Sequence, residues 1–375
     1  MALFSILLPC HNYGQYVAEA IESVLGQTWP DLELIVIDDA STDDSWSIIE
    51  GFDDPRVTAV RAERNRGLGA TLNVALAMST GDVVGVLNAD DRYPPHALQR
   101  YHDAFTDHPD VGVIGSYVRT IDALGNQSSQ MQTENFYNTQ RDLADPAQWV
   151  FQNPLAGGAL IRRSVLDSVG GFGEDCDPIV DWDLWARCLA AGIPMVVVPE
   201  VLYEWRMHGH NITGSDPSWT LRCYASLCNR TFHPYLRDAG RQDLIERNLA
   251  IFLTHDVMAD QDDAFRADVV ANLVTAQDEP AFVAALGVIA TEIKQLRSDA
   301  VALRRTEADL RWWRDAAADL EAEMAERNRE VHAAWDRLRA MEAEHREAEE
   351  TLARIRNHPA YRAVRKARNS VRRSQ

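Results

Sequence analysis

Over the first 115 residues of this 375-residue chain, short apolar blocks alternate with amphipathic stretches. Phe4–Leu8, Leu32–Ile37, Val57–Val60 and Val83–Leu87 are rich in Leu, Ile and Val, the pattern of strands covered on both faces. Between them, Val17–Leu25 carries Val17, Ile21, Val24 and Leu25 at helical spacing. Ser41 and Thr42 are suited to cap a helix bearing Trp46, Ile48 and Ile49. Ala70–Met78 reads as a third helix, and Pro95 opens another. Strands separated by helices in this rhythm predict a parallel sheet joined by right-handed crossovers.

Val111–Val118, Gly158–Ile161 and Pro194–Pro199 continue the strand pattern, and Val180–Ala190 is an amphipathic helix. Asn126–Gln148 is polar and aperiodic, a loop with short helices, whereas 217–290 reads as mostly helical. Neither glycine nor proline occurs from Val288 to His358. There Leu296, Leu303, Leu310, Ala317, Met324, Val331, Leu338, His345 and Leu352 recur every seven residues. This repeat predicts a left-handed coiled coil over 291–356 and a homo-oligomer. One long helix folded back on its own domain would carry the same pattern.

Charge narrows the choice of partners. A net charge of −20 argues against nucleic acid for most of the surface. Thr351–Gln375 holds eight Lys/Arg and no acid, leaving about −28 upstream. The tail at 357–375 therefore reads as an interaction segment, suited to anionic lipid at ~1 kcal/mol per basic residue near the surface. A solvated end, or pairing with the acidic body, is the alternative. Cys10, Cys176, Cys188, Cys223 and Cys228 are odd in number and lack metal-type spacing, so they read as buried thiols of a reducing compartment. MALFSILLPC lacks the basic leader and length of a signal peptide. No run of ~18 apolar residues is present to span a membrane. The expected location is cytoplasmic, with the tail offered to the inner membrane face.

The apolar strands end in acids. LELIVIDDAS closes on Asp38 and Asp39, and GDVVGVLNADDRYPP on Asn88, Asp90 and Asp91. Open α/β sheets bind ligands at the carboxyl ends of their strands. Adjacent carboxylates there repel unless a cation neutralises them. Two such ends suggest a nucleotide-plus-metal site. A calcium loop starting at Asp39 fails, because Asp44 stands where glycine is required. Gly67 and Gly69 lack the third glycine of a dinucleotide fingerprint. HNYGQY lacks the glycine-rich, lysine-bearing loop of a nucleotidyltransferase.

In SILLPCHNYGQYVAEAIESVLGQTWPDLELIVIDDASTDDS, NRGLGATLNVALAMSTGDVVGVLNADDRYPP, VGGFGEDCDPIVDWDLWAR and YEWRMHGHNIT the chain resembles family 2 glycosyltransferases, over about residues 3–215. The resemblance implies an α/β GT-A fold in 1–215: Rossmann-like, a mainly parallel sheet flanked by helices. A helical appendage (216–290), the coiled coil and the tail would follow. It also implies a nucleotide-sugar donor with UDP as the default base, a Mn2+ or Mg2+ ion, and inversion at the anomeric carbon.

By the same resemblance, Asp39 bonds the donor base with Asp38 beside it. Pro9, His11 and Asn12 line that pocket. Apart from the resemblance, Arg66 reads either as a diphosphate contact or as a solvated loop arginine. Asp90 and Asp91 hold metal and ribose. His208, in competition with His210, reaches the metal or diphosphate through a motif that also holds Asn211. Asp181 falls at the position of the catalytic base, with Asp183 as its competitor. Asn88 stands where many relatives carry Asp, removing one negative charge, and Val180 stands where they often carry Glu. The acceptor implied is a glycan or lipid-linked hydroxyl in bacterial surface polysaccharide synthesis. The rival reading is a non-catalytic sugar-nucleotide-binding scaffold organised by the coiled coil.

Overall fold

The computed structural model describes residues 2–127, 143–155, 158–209, 211, 216–254, 265, 268–270, 273 and 281. The expected coiled coil, the basic tail and His210 lie outside the described residues, as does most of the 126–148 loop. Seven strands make one sheet: β1 (Phe4–Cys10), β2 (Leu32–Asp38), β3 (Val57–Arg61), β4 (Val83–Val86), β5 (Val113–Ile121), β6 (Leu160–Arg162) and β7 (Met195–Arg206). Their order is β3-β2-β1-β4-β6-β5-β7.

The first four strands pair in parallel, with Leu8 opposite Val36 and Cys10 opposite Asp38. β5 and β7 also pair in parallel, and β6 runs antiparallel to both β4 and β5, so the sheet is mainly parallel, as expected, with one antiparallel strand. A three-residue apolar strand carries no directional signal in the sequence, so the direction of β6 could not be read there.

On one face, Phe4, Ile6 and Leu8 pack with Ile21 and Val24 of α1 (Val17–Leu25) and with Leu98 and Tyr101 of α4 (Ala97–Asp107). Each such side chain contributes ~1.5–3 kcal/mol when fully buried. On the other face α3 (Leu68–Met78) lies against β1 and β2. α7 (Val180–Ala190) carries the later acids. β7 continues well beyond the predicted Pro199. The ladder with β5 shifts register between Ser116 and Val118, and this bulge accommodates the proline.

The helix α2 (Ser45–Ile49) follows Asp44, not the predicted Ser41–Thr42 cap. Those hydroxyl residues instead hold the β1–α1 turn: Asn12 N–H donates to Ser41 Oγ, and Thr42 N–H donates to Asn12 Oδ1. The remaining helices are α5 (Ala147–Val150), α6 (Arg163–Ser168), α8 (Pro217–Leu227), α9 (His233–Asp238) and α10 (Gln242–Thr254), with a π-helical turn at Cys228–Phe232. Asn248 Nδ2 donates to Tyr224 Oη at 2.8 Å, and Asn248 Oδ1 pairs with His233, so α8, α9 and α10 share one buried polar contact. All five cysteines are free and buried. No helix among the described residues is long and apolar enough to cross a membrane.

Candidate active site

The carboxyl edge of β1 and β2 is built on two left-handed residues, Asn12 (φ 61°) and Ala40 (φ 57°). Strain of this kind in non-glycine residues tends to cluster at functional sites. Asp38 and Asp39, consecutive at the end of β2, meet different partners. Asp38 is fully buried; Arg61 Nε lies 3.1 Å from Oδ2, yet neither carboxylate oxygen receives a well-aligned hydrogen bond. Asp39, 4% exposed, accepts from the backbone N–H groups of Arg66 (2.9 and 3.1 Å) and Gly67 (3.1 Å). His11 Nδ1 lies 2.7 Å from the Asp39 carbonyl oxygen. Pro9 and Asn12 close the same edge, Pro9 within β1 and Asn12 in the turn after it.

Beyond β4, the two acids part company. Asp91 is 1% exposed and its oxygens are committed: Tyr203 Oη donates at 2.6 Å, Arg206 N–H at 2.8 Å and Asn88 Nδ2 at 3.1 Å. Burial, then the neighbouring Asp90 charge, raises its pKa well above the usual carboxylate range. Asp90 Oδ2 faces His208 Nε2 at 3.1 Å and Asn211 Nδ2 at 3.3 Å. Burial raises its pKa too, against the lowering hydrogen bond from His208. His208 stacks on Tyr16 with ring centroids 4.9 Å apart.

Asp181 stands in the first turn of α7, where it accepts from Asn153 Nδ2 (2.9 Å) and the Trp182 N–H (2.7 Å). Desolvation lifts its pKa to about 6. It lines a cavity of about 160 Å3 together with Asn88, Asp91, Leu68 and Tyr203. Asp183 does not share this cavity. Its carboxylate is clamped by Arg187 at 2.8 Å and Arg230 at 2.9 Å, so its oxygens are engaged elsewhere.

Three participants escape sequence reading. Asp177 accepts from the N–H groups of Leu68 (2.7 Å) and Gly69 (3.0 Å), so it and Asp39 occupy four successive donors at the start of α3. Arg206, 1% exposed, donates to the Asp90 carbonyl (2.7 Å) and pairs with Glu19 (2.5 Å). Arg92 bridges Glu19 and Glu204. Asp177 precedes a proline and resembles an ordinary turn residue, and Glu19 resembles a solvated helix acid, so neither signals its distant partner.

These elements define a GT-A-type domain, within which residues 5–170 match the family model described as glycosyl transferase family 2. Two relatives illustrate it. An uncharacterized glycosyltransferase of Nostoc sp. is 33% identical over 219 residues, covering 55% of this chain and 65% of that protein. The succinoglycan biosynthesis protein ExoU of Rhizobium meliloti is 32% identical over 231 residues, covering 58% and 66%. The chain thus spans just under two thirds of either relative. Among solved structures, S. aureus TarS 1–349 in complex with UDP-GlcNAc superposes with a TM-score of 0.53 at 20% identity, covering 76% of this chain and 80% of that one. Mannosyltransferase PcManGT from Pyrobaculum calidifontis, in complex with GDP-Man and Mn2+, gives 0.51 at 20% identity, covering 80% of each.

Proposed function

We propose that the chain transfers a sugar from a nucleoside-diphosphate donor to an acceptor hydroxyl, with inversion at the anomeric carbon and with help from a divalent cation. The observation that carries this reading is that Asp181 and the Asn88–Asp91 strand end line one cavity, beside the loop that Asp39 holds. Asp39, His11, Asn12 and Pro9 would bind the base and ribose at the β1–β2 edge. Asp38, paired with Arg61, would support that edge from inside. Arg66 would reach the diphosphate.

The residues present suit a metal. Among the described residues no group of three or more His, Cys, Asp or Glu converges as a ready cage. Asp90 and His208 instead offer one carboxylate and one imidazole within 3.1 Å of each other. That mixed set would suit Mn2+ better than Mg2+. The cation would stabilise charge on the departing diphosphate. The α3 N-terminus cannot readily share this task, since Asp39 and Asp177 already occupy its donors. Asp91 acts through Tyr203 and the Arg206 backbone, fixing the turn that presents Asp90.

Asp181 takes the acceptor hydroxyl proton as that oxygen bonds to the anomeric carbon and the diphosphate leaves with its bonding electrons. A carboxylate raised to about 6 is a stronger base than an ordinary aspartate and still ionised at neutral pH. The named relatives support polysaccharide synthesis as the setting and a UDP- or GDP-sugar as the donor. The test is nucleoside diphosphate release from a donor panel with Mn2+ and acceptor. Asp181→Asn should bind donor and lose release. Donor binding without turnover in the wild type would favour the scaffold reading.

A further inference from the structure

Asp181 is oriented by a segment that reaches it from outside α7. Its Oδ2 accepts from Asn153 Nδ2 at 2.9 Å, and its Oδ1 from the Trp182 N–H at 2.7 Å. The Asn153 amide has one sensible orientation. Its Oδ1 accepts from the Leu155 N–H at 3.1 Å, a group that can only donate, so Nδ2 is left to face the carboxylate.

The backbone that carries Asn153 is fastened by helices much later in the chain. Trp182 Nε1–H donates to the Trp149 carbonyl at 2.9 Å. Tyr224 Oη donates to the Val150 carbonyl, and Asn248 Nδ2 donates to Tyr224 Oη at 2.8 Å. The rings of Trp182, Tyr224 and Phe252 stack in series, with centroids 4.6 and 4.8 Å apart. Arg247 lies 4.7 Å from the centroid of Phe151. α7, α8 and α10 therefore meet on residues 149–153, and all three lie beyond the family match, which ends at residue 170.

We propose that Asn153 is a positioning residue for the candidate base, and that α8 and α10 hold it there through Tyr224 and Asn248. This deepens the transfer reading and rests on it. Asn153 fixes the rotation of the Asp181 carboxylate and favours its ionised form, the form that takes the acceptor proton. The titratable groups nearby are committed to other partners. Asp91 and Tyr203, across the cavity, bond to each other. Asp183, on the same helix, is held between Arg187 and Arg230. Asp177, before the helix, accepts from Leu68 and Gly69. From α8, Tyr224 faces Val150 and Asn248.

The experiment compares melting curves of the full chain with and without Asp181→Asn, from about pH 4 to about pH 9. Their difference changes through the pKa of Asp181 in the folded protein and so reports its midpoint. The same pair is measured in three further backgrounds. Asn153→Ala removes the donor and should raise the midpoint by about one pH unit. Asn153→Asp keeps the acceptor for Leu155 and sets a second carboxylate against the first, so the midpoint should rise further. Tyr224→Phe keeps the ring stack but releases the Val150 carbonyl, and should raise it by less. A merely structural loss lowers both members of a pair alike and leaves the midpoint where it was. Nucleoside diphosphate release is followed in parallel from UDP-glucose, UDP-N-acetylglucosamine, GDP-mannose and dTDP-glucose, with Mn2+ and with water in place of the acceptor. The acid limb of that release should move with the midpoint. An unchanged midpoint in either Asn153 variant overturns the positioning role and leaves sugar transfer standing if release occurs. An unchanged midpoint in Tyr224→Phe overturns the part given to α8 and α10. Shifted midpoints with no release from any of the four donors overturn the transfer reading and the positioning role together.

Discussion

Asp177 holds the first turn of α3 through Leu68, whose backbone N–H donates to Oδ2 at 2.7 Å across 109 residues of sequence. Asp177 also lies four residues before Asp181. The candidate base and the loop gripped by Asp39 are therefore parts of one clamp. Adding a Cβ at Gly69 would bring it within 2.0 Å of the Gly173 carbonyl oxygen, so the two segments touch backbone to backbone.

Asp177→Asn leaves one oxygen to accept from two N–H groups. The loss should resemble that of a helix cap, ~1–2 kcal/mol, visible as a lower thermal midpoint. Because the clamp sets the loop and not the proton transfer, donor KM should rise more than kcat falls. An unchanged midpoint would deny the clamp.

Asp181 yields two linked pH predictions. Activity should rise with pH through about 6, because the base must be ionised and burial holds its pKa there. Stability moves the other way. The folded pKa lies above the ordinary carboxylate value, so the group's favourable contribution is complete below about 4. It is lost as pH rises through about 6. At pH 8, Asp181→Asn should be the more stable protein by up to ~3 kcal/mol while transferring little sugar. Near pH 4 the stability gap should close. Melting curves of both proteins at the two pH values decide it.

Asn88→Asp exchanges the amide that donates to Asp91 for a second carboxylate at the same place. Without metal the variant should lose ~1–3 kcal/mol. Mn2+ should raise its melting temperature more than it raises that of the wild type. Equal Mn2+ shifts in the two proteins would place the cation away from this strand end.

Asp183→Ala removes the carboxylate shared by Arg187 and Arg230. Breaking such a buried arrangement costs ~3–5 kcal/mol, reduced here because Arg230 is half-exposed. Urea unfolding should show the loss. The folded fraction should nevertheless keep more activity than the ~10²-fold drop expected when a general base is removed.

Much of the framework can be read from the chain because buried strands are locally written. Val17–Leu25 and Val180–Ala190 form helices with the predicted limits, and the strands leading to Asp38 and Asn88 start where apolar runs start. What local pattern cannot express is which acid faces which partner. Asp90 and Asp91 look interchangeable in sequence, yet Tyr203 and the Arg206 backbone claim Asp91, while His208 and Asn211 meet Asp90. Glu19 and Arg206 pair across 187 residues, a relationship that only the sheet order creates.

That ordering has a consequence for biogenesis. The acids of β2 and β4 emerge from the ribosome early, and the groups that tame Asp90 and Asp91 (Tyr203, Arg206 and His208) emerge more than a hundred residues later. A nascent chain that has synthesised only four parallel strands displays its negative edge to bulk water. The pocket can mature only after the seventh strand docks, so fragments ending before residue 200 should remain incompetent however well their helices form.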